Sequence, residues 1–113
     1  MTQPTTSNQI INNVEVFEYS VFSEDIFDNG AIITNCHAYL IKNDGNCDVV
    51  MNNTTRLKPG GYFQIAPSAL NLVTRQKHLI QFDITTVDPL AATTIKHVRI
   101  DRIIIQHPCF TFN

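Results

Sequence analysis

The apolar residues of this chain arrive in short β-branched and aromatic runs, and Asn, Asp, Gly or Pro breaks them roughly every 8 to 12 residues. That rhythm leaves almost no room for a helix. Only residues 68–77, SALNLVTRQK, have helix-like spacing, with Ser68 as a possible cap, and the β-branched Val73 and Thr74 favour a single turn or a loop there. The pattern predicts an all-β chain folded as a single antiparallel β-sandwich of about six to eight strands, Ig-like or jelly-roll-like.

The strands can be placed one by one. Residues 1–13 hold Ile10 and Ile11 among Thr, Gln, Asn, Ser and Pro, too little to anchor a core, and read as a flexible polar N-terminal arm. The β-sandwich domain is expected over 14–113, starting with a strand at VEVFEYSVF and a loop at SEDIFDNG. AIITNCHAYLIK is apolar on both period-two faces and reads as one central strand. Asn43 to Asn46, NDGN, with Asp44 and Gly45, predicts a primed hairpin turn. In LKPGG, Pro59 and Gly60 predict a type II turn that leads through Gly61 into the strand YFQIA. HLIQFDITTV alternates with His78, Ile80, Phe82 and Ile84 inward. In TTIKHVRIDRIIIQH the apolar parity changes from Val98 and Ile100 to Ile103 and Ile105, which predicts a β-bulge near Asp101 or Arg102.

Composition narrows the function. With 113 residues the chain is one domain, able to bury about two-thirds of its unfolded surface. Charged residues make up 16%, against about 25% in a typical globular protein, and the net charge is -2. No basic field is present for nucleic acid, so nucleic-acid binding is not expected. No apolar run approaches the roughly 18 residues of a membrane span, and the N-terminus lacks the basic and apolar regions of a secretory signal. Neither membrane nor export is therefore expected, and synthesis in a cytoplasm is. Cys36, Cys47 and Cys109, an odd number, read as free thiols.

Asn43-Asp44-Gly45 after one strand, and Leu57-Lys58-Pro59-Gly60 before the strand Tyr62-Phe63-Gln64-Ile65, form a strand-N-x-G-strand-L-x-P-G-strand pattern. This resembles a turn pattern of Ig-like sandwich domains, and is similar to one that recurs in small β-sandwich virion structural proteins of tailed bacteriophages. The likeness covers residues 31–84. Extracellular Ig-like modules with the pattern usually occur as repeats behind a signal peptide, and neither is found here. The resemblance implies a virion protein.

The residues that could carry chemistry do not converge by spacing. Cys36-His37 and His107-Pro108-Cys109 are zinc-ligand types, but strand neighbours point to opposite faces and no finger spacing exists. No metal, cofactor or catalytic residue is expected, and Cys36 reads as a core residue. Glu15, Glu18, Glu24, Asp25 and Asp28 read as a solvated edge and loop. Lys96, Arg99 and Arg102 form no single stripe and read as edge charges or local partners of Asp101. The Asn-x-Thr sequons at Asn52 and Asn53 carry no weight without export.

Two functions follow. The first is a non-enzymatic structural virion component, in the capsid, neck or tail, that forms a homo-oligomer and joins other virion proteins. Its contacts would be sheet edges and the terminal residues Ile10, Ile11, Phe110 and Phe112, since an apolar tail ending FTF is costly to leave in water. The second is a free module that binds a glycan or a peptide on a sheet face or on its loops.

Overall fold

The computed structural model describes residues 18–66 and 73–105. Eight strands run in order: β1 (Tyr19–Ile26), β2 (Gly30–Cys36), β3 (Ala38–Asn43), β4 (Asp48–Met51), β5 (Thr55–Leu57), β6 (Tyr62–Ile65), β7 (Thr74–Asp83) and β8 (Val98–Ile105). They form two four-stranded sheets of order β1-β8-β3-β6 and β2-β7-β4-β5, and every pairing is antiparallel. The first half of the chain pairs with the second half strand for strand: β1 with β8, β2 with β7, β3 with β6, β4 with β5. A long antiparallel hairpin rolled up so that alternate strands fall in opposite sheets gives this order, which is that of a jelly roll. Of the two sandwich types expected from the sequence, the connectivity is the jelly roll.

The core lies between the sheets. Tyr39, Ile41, Val98 and Ile100 from the first sheet meet Ile32, Cys36, Val49, Met51, Leu57, Ile80 and Phe82 from the second, with Cys47 between them. Each large aliphatic or aromatic side chain removed from water here contributes about 1.5–3 kcal/mol. One end of the sandwich carries the loops at 27–29, 44–47, 58–61 and 84–97. At the other end, β1 begins and β8 finishes.

Several expectations are corrected. AIITNCHAYLIK is two strands: the chain leaves one sheet after Cys36 and enters the other at Ala38. Both of its faces are apolar because the inward parity changes at this corner, from Ile32, Thr34 and Cys36 to Tyr39, Ile41 and Asn43. His37 pins the corner, since its backbone N–H donates to Ile103 O (3.0 Å) and its Nδ1 accepts from Ile105 N (3.0 Å). Conversely, β8 has no bulge. Its register against β1 and β3 is unbroken, and Arg102 occupies the inward row between Ile100 and Ile104. SEDI is strand, not loop, because Ser23, Glu24 and Asp25 find partners in Asp101, Arg102 and His97. Thr74 to Lys77, despite their helix-like spacing, are the start of β7. Ile84 enters a 3₁₀ turn (Ile84–Thr86) and is exposed.

Candidate functional site

The stretch from Asn43 to Gly61 forms one hydrogen-bonded lock. NDGN is not a hairpin turn, because β3 and β4 lie in different sheets, and among the described residues positive φ occurs only at Asn52, Asn53 and Gly60. Instead residues 44–46 cross between sheets alongside 95–97. Asp44 N donates to His97 O and Asn46 N to Ile95 O, both at 2.9 Å. Gly45 is required by space: a Cβ there would lie 2.3 Å from the Ile95 carbonyl oxygen. The Asn43 side chain is fully buried, and Nδ2 donates to Cys47 O (2.7 Å) and Leu57 O (2.9 Å) while Oδ1 accepts from Gly45 N (3.0 Å). Its backbone donates to Gly61 O and accepts from Gly60 N. In the Pro59-Gly60 turn Gly60 has φ +83° and Gly61 N donates to Lys58 O (2.7 Å), as in a type II turn. The two halves of the sequence pattern are thus parts of a single device that joins three chain segments.

A second polar chain crosses the core. Asn52 Oδ1 accepts from Leu79 N (2.9 Å), so its Nδ2 must donate to His78 Nδ1 (3.0 Å). His78 is then protonated on Nε2, which donates to the Tyr39 oxygen (2.7 Å), and the Tyr39 hydroxyl donates to Gln76 Oε1 (2.7 Å). Every member is satisfied in only one direction. Burial pushes the His78 pKa down, and burial followed by the charge of Cys36 pushes the Tyr39 phenol up, so both stay neutral. The hinge of the chain is the Asn52-Asn53 turn between β4 and β5, with φ values of 53° and 62° and Thr54 N donating to Met51 O. Two consecutive left-handed residues are the signature of a primed hairpin turn. The Asn-Asn pair is itself a signal for that turn, one that a reading of these residues as sequons passes over.

The charged groups are mostly committed to one another. On the outer face of the second sheet, Arg56 Nη1 lies 3.0 Å from both Asp48 and Asp83, and Lys58 lies 3.6 Å from Asp48. The Thr85 hydroxyl and Arg56 hold the Asp83 carboxyl below its ordinary range. Lys96 meets Asp28 at 3.3 Å, and His97 meets Asp25 at 2.8 Å while stacking on Phe27. Arg99 Nε lies 3.4 Å from Asp101 without hydrogen-bond alignment, a local pair of the kind the sequence suggests. Arg102 does something else. Its guanidinium donates to Glu24 on β1 (2.8 Å) and to the Ile33 carbonyl on β2 (3.0 Å), clasping the two sheets along one side.

Three features could meet a partner. The outer face of the first sheet holds a shallow groove lined by Leu40, Lys42, Gly60, Tyr62, Gln64 and Arg99, in which Tyr62 is 61% exposed. The loop end exposes Phe27, Ile84, Ile95 and Leu90. Third, among the described residues β1 is an edge strand with exposed apolar groups on both faces: Tyr19 (67%) and Val21 (60%) outward, Phe22 (57%) on the inward side beyond the cover of the second sheet. Ile10, Ile11, Phe110 and Phe112 lie outside the described residues, as does Cys109. Cys36 and Cys47 are buried free thiols, and burial raises the pKa of Cys47, which disfavours its nucleophilic form. Among the described residues no three His, Cys, Asp or Glu side chains converge as a metal site.

Among the described residues, fold and site together define a class: an eight-stranded two-sheet β-sandwich whose buried polar clusters tie its strands together and whose exposed apolar groups lie on both sheet faces, at the loop end and along β1. Comparison with protein-family models, with curated proteins and with solved structures finds no match to this chain.

Proposed function

We propose that this protein is a non-enzymatic structural component of a bacteriophage virion, assembling with copies of itself and with other virion proteins through a sheet edge and its terminal segments. The observation that carries the reading is β1: eight residues long, paired on one side only among the described residues, and with exposed apolar groups on both faces, Tyr19 and Val21 on one and Phe22 on the other. Such an edge is a hazard for a protein that works as a monomer and a ready contact for one that assembles. Both terminal segments leave from the end at which β1 begins and β8 finishes, so an edge contact there and arm contacts would act together. The jelly roll is a fold of viral coat domains and of lectins, and supports the reading by analogy alone.

The test is the solution mass of the full chain across micromolar concentrations by sedimentation equilibrium. A defined oligomer is expected. A monomer throughout, with no association with co-expressed virion proteins, refutes the proposal.

A second reading, a glycan-binding module, is favoured by the Tyr62 groove, where one exposed ring is flanked by Gln64, Lys42 and Arg99. Sugars stack on such rings and hydrogen-bond to planar polar side chains. Saccharide-induced NMR shifts confined to this groove and abolished by Tyr62→Ala would favour it.

A further inference from the structure

We propose that β1 pairs antiparallel with β1 of a second copy about a two-fold axis through Phe22, merging two four-stranded sheets into one of eight strands. The proposal rests on the assembly reading above and names the surface that carries it.

The four sheet edges are not alike. β6 has four residues and β5 three, too short to template much pairing. β2 has seven, but the Arg102 guanidinium occupies its Ile33 carbonyl, so a strand added there would have to displace a charged group already paired with Glu24. β1 has eight residues, about 26 Å of edge, with no proline, lysine or bulge, and its two charged groups, Glu24 and Asp25, are already held by Arg102 and His97 of its own chain.

Geometry and charge then select the register. A two-fold axis perpendicular to the merged sheet keeps both inward faces on one side, which requires opposed residues to share parity. An axis through Val21 puts Glu24 of one copy opposite Glu18 of the other. An axis through Ser23 sets Phe22 against Glu24 and Val21 against Asp25. The axis through Phe22 instead opposes the two Phe22 rings, places Tyr19 opposite Asp25 and Ser20 opposite Glu24, and sets Val21 against Ser23. No two acids are then opposed, Glu18 falling opposite Ile26 and Asp25 facing the Tyr19 hydroxyl, and the exposed ring at the centre of the strand meets its own copy. Such an interface is isologous and closes on itself.

Cysteine scanning of the full chain in a Cys109→Ser background tests this, since Cys36 and Cys47 are buried. Phe22→Cys should form a disulfide-linked homodimer under mild oxidation, because directly opposed strand residues fall within disulfide reach. Val21→Cys and Ser23→Cys should each cross-link poorly alone and efficiently when mixed. Independently, Phe22→Lys should weaken association by about tenfold or more, with an unchanged circular dichroism spectrum. If the chain is oligomeric but Phe22→Cys cross-links no better than Val21→Cys or Ser23→Cys alone, this edge pairing is wrong and assembly uses another surface. If the chain is monomeric at all concentrations the pairing falls, and the assembly reading falls with it only when the chain also fails to associate with co-expressed virion proteins.

Discussion

Replacing Asn43 tests the claim that the turn-rich stretch is one structural lock. Its side chain is fully buried, donates to Cys47 O and Leu57 O, and accepts from Gly45 N. Each such bond is worth about 0.5–1.5 kcal/mol net, and a buried partner left unsatisfied costs about 1–3 kcal/mol. Asn43→Ala removes three bonds at once and strands the groups that made them, so the loss should be about 3–5 kcal/mol, a large share of the roughly 5–15 kcal/mol that holds a domain together. Asn43→Asp is close to isosteric and keeps the acceptor for Gly45, but turns a carboxylate oxygen toward two carbonyls. That environment raises the folded-state pKa of the new acid, so its penalty is smallest below about pH 3.9, where the acid is protonated in both states. The penalty then grows as the pH rises, because the unfolded chain sheds the proton and the folded one resists. Urea midpoints of wild type and both variants at pH 7 and pH 4 measure this, and comparison at equal pH cancels other titrations. An Asn43→Ala loss below about 1 kcal/mol, or an Asp penalty that does not change with pH, would refute the lock.

Three further outcomes are expected. The His78 pKa is lowered in the fold, so the unfolded state takes up a proton first as the pH drops below about 6.5. Stability should be full above that pH and fall below it by at most about 1.4 kcal/mol per unit until the folded-state pKa is reached; His78→Gln should remove that part of the slope in urea titrations between pH 7 and 5. Gly60→Val should cost roughly 1–3 kcal/mol because Gly60 has φ +83°, while the exposed Lys58→Ala should stay within about 0.5 kcal/mol, and denaturant midpoints separate the two. Arg102→Met should free the Ile33 carbonyl and unclasp β1 from β2, seen as faster amide exchange along both strands; exchange unchanged from wild type would show that the clasp contributes nothing.

Local chemistry makes part of this fold legible in the chain alone. Gly60 has positive φ because Pro59 sets the first angle of the turn and glycine takes the left-handed angle of type II at no steric cost, and β6 follows directly from YFQI. The alternation of His78, Ile80 and Phe82 marks the buried face of β7 because period two is a property of the strand itself. What the chain does at His37 and at NDGN is different. A strand with two apolar faces and a strand that changes sheets have the same sequence texture, and only the partners decide: β7 for β2, β8 and β6 for β3. Asp-Gly favours a hairpin locally, yet Gly45 is needed because the backbone of 95–97, some fifty residues later, passes within contact of it. Arg102 is legible as a charge but not as a clasp, because Glu24 and Ile33 reach it only once β1 and β2 close around β8. Strand texture, the class of fold and the backbone demand of the Pro-Gly turn are written in the chain, since each depends on residues a few positions apart. Which of the described strands lie at the sheet edges, and that Arg102 reaches the Ile33 carbonyl on one of them, is decided by tertiary packing, since an edge is defined by what pairs beside it and no local pattern encodes that.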